Sequence, residues 1–268
     1  MKTRVVTALV AIPPVLLAVL LQTAWPLWAL ASIASCVGTL ELARLSGRPR
    51  HLPLLATLLS VGAAVLLVDP QSLPFSSHRA LYLLFAIGLI GLPLSVQARA
   101  SAWAVEVASL WCAVPLMLLV LAHHETAMAG LWRWDSPVLL VLLPLWAGDT
   151  AGLLIGKKWG KRLLAPNISP KKTVVGAWGN LFFCVTMALG LSFPLELPLE
   201  LGLMCGLAAG LLGQAGDLYQ SAWKRKVQVK DSGSLLPGHG GILDRLDSTY
   251  FAAPAILSLL EASGYFAR

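Results

Sequence analysis

Nine apolar runs, each about as long as a helix that crosses a bilayer, constrain the fold of this 268-residue chain more than any other feature. Crossing the hydrocarbon core takes about 20 apolar residues. Charged residues make up only 12% of the chain, against about 25% in a soluble domain. The sequence therefore predicts an all-α, polytopic integral membrane protein with about nine transmembrane helices. The candidate spans are Val5–Leu21, Trp25–Leu45, Leu52–Val68, Ala80–Val96, Trp103–Ala122, Pro137–Ile155, Val174–Phe193, Leu199–Tyr219 and Thr249–Phe266.

The distribution of basic residues predicts the orientation of these spans. With the amino terminus inside, all but three of the 20 Lys and Arg residues fall in predicted cytoplasmic segments, the exceptions being Arg79, Arg133 and Arg268. Cytoplasmic loops of membrane proteins carry such an excess of Lys and Arg. The bias predicts an N-in, C-out topology. It also accounts for the net charge of +7, so we expect no nucleic-acid partner.

The polar residues divide the chain unequally. No soluble domain is apparent, and the longest polar segments, 156–173 and 220–248, are both predicted to be cytoplasmic. The residues suited to chemistry all lie after Leu145. We therefore expect residues 1–136 to form an N-terminal group of transmembrane helices with a scaffold, lipid-facing or dimer role. Residues 137–268 would form the catalytic transmembrane part, with its site facing the cytoplasm.

The segment 221–247 concentrates cations, carboxylates and glycines in an otherwise apolar chain. Glycines let backbone N–H groups approach a phosphate closely, and Lys and Arg neutralise phosphate charge. Aspartates hold Mg²⁺, which usually binds one or two carboxylates together with substrate phosphates. These ingredients beside a membrane indicate a site for a metal-bound nucleotide at the lipid surface.

This segment resembles the signature of the CDP-diacylglycerol synthase, or phosphatidate cytidylyltransferase, family. That signature reads Ser-x-apolar-Lys-Arg, four residues, Lys-Asp-x-small, two residues, apolar-Pro-x-His-Gly-Gly-apolar-x-Asp-Arg-apolar-Asp, and it has no mismatch from Ser221 to Asp247. The resemblance implies the reaction of CTP with phosphatidate to give CDP-diacylglycerol and pyrophosphate. It also implies Mg²⁺ as cofactor, with a second, monovalent ion as an option, contact with membrane lipids, a homodimer as an option, and a place in a bacterial inner membrane.

Carboxylates near the predicted membrane surface are the candidate metal ligands, because intramembrane carboxylates are costly and mark function. We expect Asp217 and Asp244 to bind the metal, with Asp247 as an alternate ligand. Asp149 at the end of the sixth span and Asp231 in the signature complete the set. Small residues would allow close helix packing around Asp217; they are Gly206, Ala208, Ala209, Gly210, Gly213 and Gly216.

Cations, glycines and one histidine are the candidate nucleotide-binding groups. Ser169-Pro170 is expected to open a turn or a helix start that places Lys171 and Lys172 at a phosphate. His239, between glycines, would donate to a phosphate or to the cytosine base. Lys230 and Arg245 join Asp217, Asp244 and His239 as candidate catalytic residues. Ser221, Lys224, Arg225, Gly240 and Gly241 join the paired lysines as candidate nucleotide-binding residues.

The chain departs from the family pattern at two places, and these keep alternatives open. Val174-Val175-Gly176 stands where the family has Trp-Glu-Gly, and Gln220 stands where it often has Glu. The alternatives are a cytidylyltransferase acting on another lipid phosphate, such as an isoprenoid one, a CTP-dependent lipid-alcohol kinase, and a non-catalytic membrane relative. Retention of the four aspartates between Asp217 and Asp247 argues against the last.

Overall fold

The computed structural model describes residues 2–48, 54–68, 78–95, 101–126, 130–235 and 240–267. In these residues each of the nine apolar runs forms an α-helix, as predicted. The helices are α1 (Lys2–Leu20), α2 (Trp25–Leu45), α3 (Leu54–Val68), α4 (His78–Ser95), α5 (Ala102–Glu125), α6 (Pro137–Trp159), α7 (Val174–Ser192), α8 (Leu199–Lys226) and α9 (Leu243–Ala262). A short 3-10 turn, Tyr265–Ala267, follows α9.

Five of these helices, α2, α5, α6, α7 and α8, are long and apolar enough to cross a membrane. Their number and the low charge of the chain define a helical integral membrane protein. Helix α8 extends past the predicted end of its span at Tyr219 and continues to Lys226. The first residues of the signature are therefore helical. This agrees with their composition, because Gln, Lys and Arg lose little side-chain freedom in a helix.

The described residues are almost entirely helical, which confirms the all-α prediction, and two short strands are the exception. β1 (Leu163–Ala165) and β2 (Ser169–Thr173) pair antiparallel between α6 and α7. The expected turn or helix start at Ser169-Pro170 is therefore wrong, because this dipeptide opens β2 instead. Helix α7 begins only after Thr173, whose Oγ1 accepts a hydrogen bond from Gly176 N at 3.2 Å. A threonine cap of this kind satisfies a backbone N–H that the helix itself leaves unpaired.

The described residues fall into two compact units. The first comprises Met1–Arg133 together with Lys226–Leu246. Its centre is α5, which is buried along most of its length and packs against α2, α3 and α4. A helix that is apolar on all sides is expected to occupy such a central position.

The second unit comprises Trp134–Arg225 and Asp247–Arg268. In it, α6 and α7 approach closely because α6 carries glycines at the contact. A Cβ at Gly148 would lie 2.3 Å from Cys184 Sγ, and one at Gly152 would lie 3.1 Å from Gly176 O. Such small residues let membrane helices gain dispersion contacts between their backbones.

Glycines of α8 allow the same close approach on both sides of that helix. A Cβ at Gly206 would lie 2.6 Å from Val185 Cα on α7, and one at Gly216 would lie 2.6 Å from Asp247 O on α9. The predicted role of the small residues in α8 is thus confirmed at these positions. Within the second unit, the packing brings Asp217, the next residue of α8, near Asp247 of α9.

We predict that Gly206→Ala destabilises the protein and that Gly190→Ala does not. The methyl group at position 206 meets the backbone of α7, and overpacking of this kind costs about 1–3 kcal/mol. A Cβ at Gly190, also within a helix of this unit, has no atom within 4 Å. Thermal unfolding of the two purified variants in one detergent measures the difference. Equal melting temperatures would contradict the tight α7–α8 packing.

Candidate functional site

Asp217 is the centre of a polar cluster in the second unit. Ser221, one helical turn further along α8, donates its hydroxyl proton to Asp217 Oδ1 at 3.3 Å. The two residues therefore share a face of α8. Lys172 Nζ forms an ion pair with Asp217 Oδ2, and both side chains are about 30% exposed. The pair stands at the surface of the unit, where an anionic ligand can reach the ammonium group.

The two adjacent lysines are not equivalent. Successive side chains of a strand point to opposite faces, and β2 contains both residues. Lys172 is half-buried and contacts Asp217, whereas Lys171 is exposed. From the sequence, both lysines are expected to lie at a phosphate. The strand assigns the contact with the carboxylate cluster to Lys172 alone.

Asp149 lies in the middle of α6, because the helix continues to Trp159, and it has a partner that the sequence did not predict. Asn180 of α7 donates from Nδ2 to Asp149 Oδ1 at 3.0 Å, and its side chain is 7% exposed. The neighbouring Cys184 Sγ lies 3.6 Å from Asn180 Oδ1. Asn180 could have been noticed as an uncharged polar residue inside the apolar run 174–193. It orients one oxygen of Asp149.

Asp247 brings a third carboxylate to the cluster. It lies in α9, just before the expected span Thr249–Phe266, and accepts a hydrogen bond from Ser248 N at 2.8 Å. Burial and the nearby Asp217 raise the pKa of Asp247 to about 8, with a further contribution from Asp149 and an opposing one from Lys224. Like charges held close together disfavour ionisation of both groups. The three carboxylates and Lys224 therefore act on one another electrostatically.

Asp217 and Asp247 could supply two carboxylate ligands to a divalent cation. The mutual repulsion of Asp217 and Asp247 is the condition that a bound cation relieves, and Mg²⁺ commonly takes one or two carboxylates and completes its shell with water and substrate phosphates. Among the described residues, no group of three or more His, Cys, Asp or Glu side chains could hold a metal ion. Any ion at this cluster would therefore also need ligands from water and the nucleotide.

Asp244, the other expected metal ligand, lies in the first unit. It binds the signature loop, whose described residues are 227–235 and 240–242, between α8 and α9. Its Oδ2 accepts hydrogen bonds from Ser232 N at 2.7 Å and from Gly241 N at 2.9 Å. Gly240 has a φ of 80°, a left-handed conformation that favours glycine, and a Cβ there would lie 2.5 Å from Asp244 Oδ2. The N–H of Gly241, expected to contact a phosphate, thus binds Asp244.

The remaining candidates have different degrees of exposure. Lys230, Asp231 and Arg245 are exposed, which suits groups that meet a soluble nucleotide. Arg225 is also exposed, and its Nε donates to Ile168 O at 3.3 Å. His239 lies outside the described residues. The roles assigned to all of these residues remain predictions.

Glu41 of α2 is a buried carboxylate that the sequence reasoning did not single out. Only 3% of it is exposed, and within the first unit it accepts hydrogen bonds from Ser232 Oγ at 2.8 Å, Ile242 N at 3.0 Å and Leu243 N at 3.1 Å. The available signal was the rule that a carboxylate within an apolar run marks a functional position. That rule was applied to Asp149 but not to Glu41.

The apolar helices and the cluster of carboxylates and cations define a helical membrane protein with a polar site in its second unit. Comparison with known proteins makes the assignment specific. The sequence profile of the cytidylyltransferase family matches residues 2–263. The chain therefore belongs to the cytidylyltransferase family.

Individual relatives are similar over nearly the whole chain. A phosphatidate cytidylyltransferase of Staphylococcus aureus is 32% identical over 98% of this chain and 100% of its own length. One of Pseudomonas aeruginosa is 34% identical over 99% of this chain and 98% of its own. One of Bacillus subtilis is 42% identical over a shorter stretch, 43% of this chain and 44% of its own. The resemblance inferred from the signature is confirmed.

Proposed function

We propose that this protein is a nucleotidyltransferase that transfers the cytidylyl group of CTP to phosphatidate, forming CDP-diacylglycerol and pyrophosphate. The observation that carries the proposal is the similarity to relatives named phosphatidate cytidylyltransferase over almost their full length. The unbroken signature from Ser221 to Asp247 supports it independently. The departures at Val174-Val175 and Gln220 would then be tolerated variations.

The reaction is a displacement at the α-phosphorus of CTP. An oxygen of the phosphatidate phosphate forms a bond to that phosphorus, the bond to the bridging oxygen of the β-phosphate breaks, and pyrophosphate leaves with the electron pair. Both reactants are anions, so positioning and charge stabilisation account for most of the catalysis. Bound Mg²⁺ would neutralise triphosphate charge and polarise the α-phosphate.

The residues of the polar cluster would divide this work. Asp217 and Asp247 would hold the cation, and Ser221 and Lys172 would orient Asp217 through the contacts described above. Lys172, which already contacts Asp217, would also bind a phosphate oxygen of the nucleotide. Lys224, which lowers the pKa of Asp247, would favour the ionised form that binds metal.

The first test is product analysis with the purified full-length protein in detergent micelles. With CTP, phosphatidate and Mg²⁺ together, we expect pyrophosphate and CDP-diacylglycerol in equal amounts, and neither product when phosphatidate or Mg²⁺ is omitted. CDP without pyrophosphate would instead indicate a lipid kinase. Product formed only with an isoprenoid phosphate would assign a different lipid, and no product with either lipid would indicate a non-catalytic relative.

Lys172 and Lys171 form a matched pair for the next test. We predict that Lys172→Met lowers kcat/KM for CTP by at least about tenfold, which corresponds to about 1.4 kcal/mol of transition-state stabilisation. Lys171→Met should have a clearly smaller effect, because Lys171 is exposed and lies on the other face of β2. Steady-state kinetics under identical conditions provides the comparison. Equal losses would show that the contact with Asp217 does not distinguish the two lysines.

We also propose nine spans with an N-in, C-out topology in a bacterial inner membrane, a site open to the cytoplasm, and a homodimer. The bias of Lys and Arg toward one side supports the topology, because positive charge is retained in cytoplasmic loops. Alkaline phosphatase, which is active only outside the cytoplasm, should therefore be active when fused after Arg268 and inactive when fused after Lys161. The reverse pattern would overturn the orientation.

A further inference from the structure

In the first unit, the signature loop forms a hydrogen bond with the carboxylate of Glu41, which is far away in the sequence. Glu41 lies in α2, whereas its partners are Ser232 in the loop, Ile242 just before α9, and Leu243, the first residue of α9. Both carboxylate oxygens are used. Oε1 accepts from Ile242 N, and Oε2 accepts from Leu243 N and lies within hydrogen-bond distance of the Ser232 hydroxyl.

This contact meets a need of α9 that the helix cannot meet itself. The first N–H groups of a helix have no partner within it, and the N-terminus carries a partial positive charge that favours a nearby anion. In turn, a buried carboxylate is costly unless it receives hydrogen bonds. Glu41 and the start of α9 satisfy one another, so either one without the other would leave buried polar groups unpaired.

The glycines of the loop leave the room that Glu41 occupies. A Cβ at Gly241 would lie 2.2 Å from Glu41 Oε2, and a Cβ at Gly233 would lie 2.6 Å from Glu41 Oε1. Their lack of side chains therefore has a packing reason besides any contact with a phosphate. Gly233 and Gly241 of the loop both lie directly against the carboxylate of Glu41.

Ser232 connects Glu41 with Asp244. Its hydroxyl oxygen lies 2.8 Å from Glu41 Oε2 and 3.0 Å from Asp244 Oδ2, and its single proton can serve one of them at a time. The Ser232 backbone N–H donates to Asp244. A displacement of Ser232 would therefore move a predicted site residue directly.

We propose that Glu41 is a positioning residue for catalysis. It holds Ser232 and residues 240–243 in the conformation that keeps Asp244 in its hydrogen bonds and leaves the neighbouring Arg245 exposed to the substrates. The kinetic part of this proposal rests on the function proposed above, whereas the effect on the loop does not. Glu41 itself contacts no substrate in this scheme and acts through Ser232 and the start of α9.

The same unit contains a matched control. Glu106 of α5 also accepts hydrogen bonds from the start of a helix, from Leu54 N at 3.2 Å and Leu55 N at 2.9 Å. That helix, α3, carries none of the predicted site residues. Glu106→Gln therefore weakens a similar helix-capping contact without touching the signature loop, which separates a general loss of stability from an effect on the site.

The experiment compares Glu41→Gln with Glu106→Gln in the full-length protein in phosphatidate-containing micelles. Glutamine keeps one acceptor oxygen, whereas both oxygens of Glu41 accept hydrogen bonds, so Glu41→Gln should release part of the loop. We expect faster tryptic cleavage after Lys226 and Lys230, with cleavage after Lys161 unchanged. We also expect kcat/KM for CTP to fall by at least about tenfold, since small displacements of reacting groups are costly in rate.

Glu106→Gln should lower the melting temperature while leaving kcat/KM and cleavage after Lys230 within about twofold of the unchanged protein. Ser232→Ala should change loop cleavage and kcat/KM in the same direction as Glu41→Gln, but less. In the double variant, the loss of kcat/KM, expressed as a free energy, should be smaller than the sum of the losses of the two single variants. If Glu41→Gln does not accumulate in membranes, Ser232→Ala alone provides the cleavage and kinetic readouts.

The proposal is overturned if loop cleavage and kcat/KM both stay within twofold of the unchanged protein in the Glu41→Gln variant, or in Ser232→Ala where that variant stands in. It is also overturned if Glu106→Gln produces the same changes, because Glu41 would then contribute only general stability. The cleavage rates need no substrate. If the unchanged protein formed no CDP-diacylglycerol, the proposed function would fail while the test of the loop remained valid.

Discussion

A carboxylate next to apolar helices needs hydrogen-bond donors or a cation, and this requirement determines much of the structure. Without a partner, the buried charge costs several kcal/mol (~2–7 even for a neutral polar group). Four carboxylates have such a partner in their own unit. Asp149 receives Asn180, Asp217 receives Ser221 and Lys172, and residues at the start of a helix donate to Glu106 and Glu41. Apart from Ser221, these partners lie on other elements than the carboxylate, so the contacts link elements that are separate in the sequence.

Close packing through glycines brings those elements near enough for the partners to meet. Gly152 lets α6 approach the backbone of α7, and Gly216 lets α8 approach α9. The residue after Gly216 is Asp217, and the atom its Cβ would meet is Asp247 O. The glycines of α8 thus place two carboxylates in electrostatic contact. Their repulsion supports the proposal that a divalent cation binds there.

The chemistry proposed for the protein uses the same balance of charges. A cluster that contains Asp217 and Asp247 gains from a divalent cation, and Lys172 and Lys224 gain from phosphate groups. A metal-bound nucleotide brings both. The chain can therefore keep charged side chains beside the membrane before the nucleotide binds, because the ion pair of Lys172 with Asp217 already compensates part of the charge.

Much of the helical architecture could be predicted from the sequence, because a bilayer-crossing helix is a local feature. Length and apolarity alone gave the bounds of α2, Trp25–Leu45, without error. The strands β1 and β2 could not be predicted in this way, since their pairing depends on a turn and on a partner strand. The end of α8 was also missed, because hydropathy locates where a span leaves the apolar phase and not where its helix stops.

For the site, the sequence by itself determined the family, since the string from Ser221 to Asp247 is contiguous and specific, and it predicted which residues carry the chemistry. Only the tertiary structure decided how these residues are used. It separated Lys172 from Lys171, gave Asp149 its partner Asn180, and connected Glu41 to the start of α9. The physical reason is that a hydrogen bond between residues 41 and 243 depends on how helices pack, and no local pattern in the chain encodes that distance.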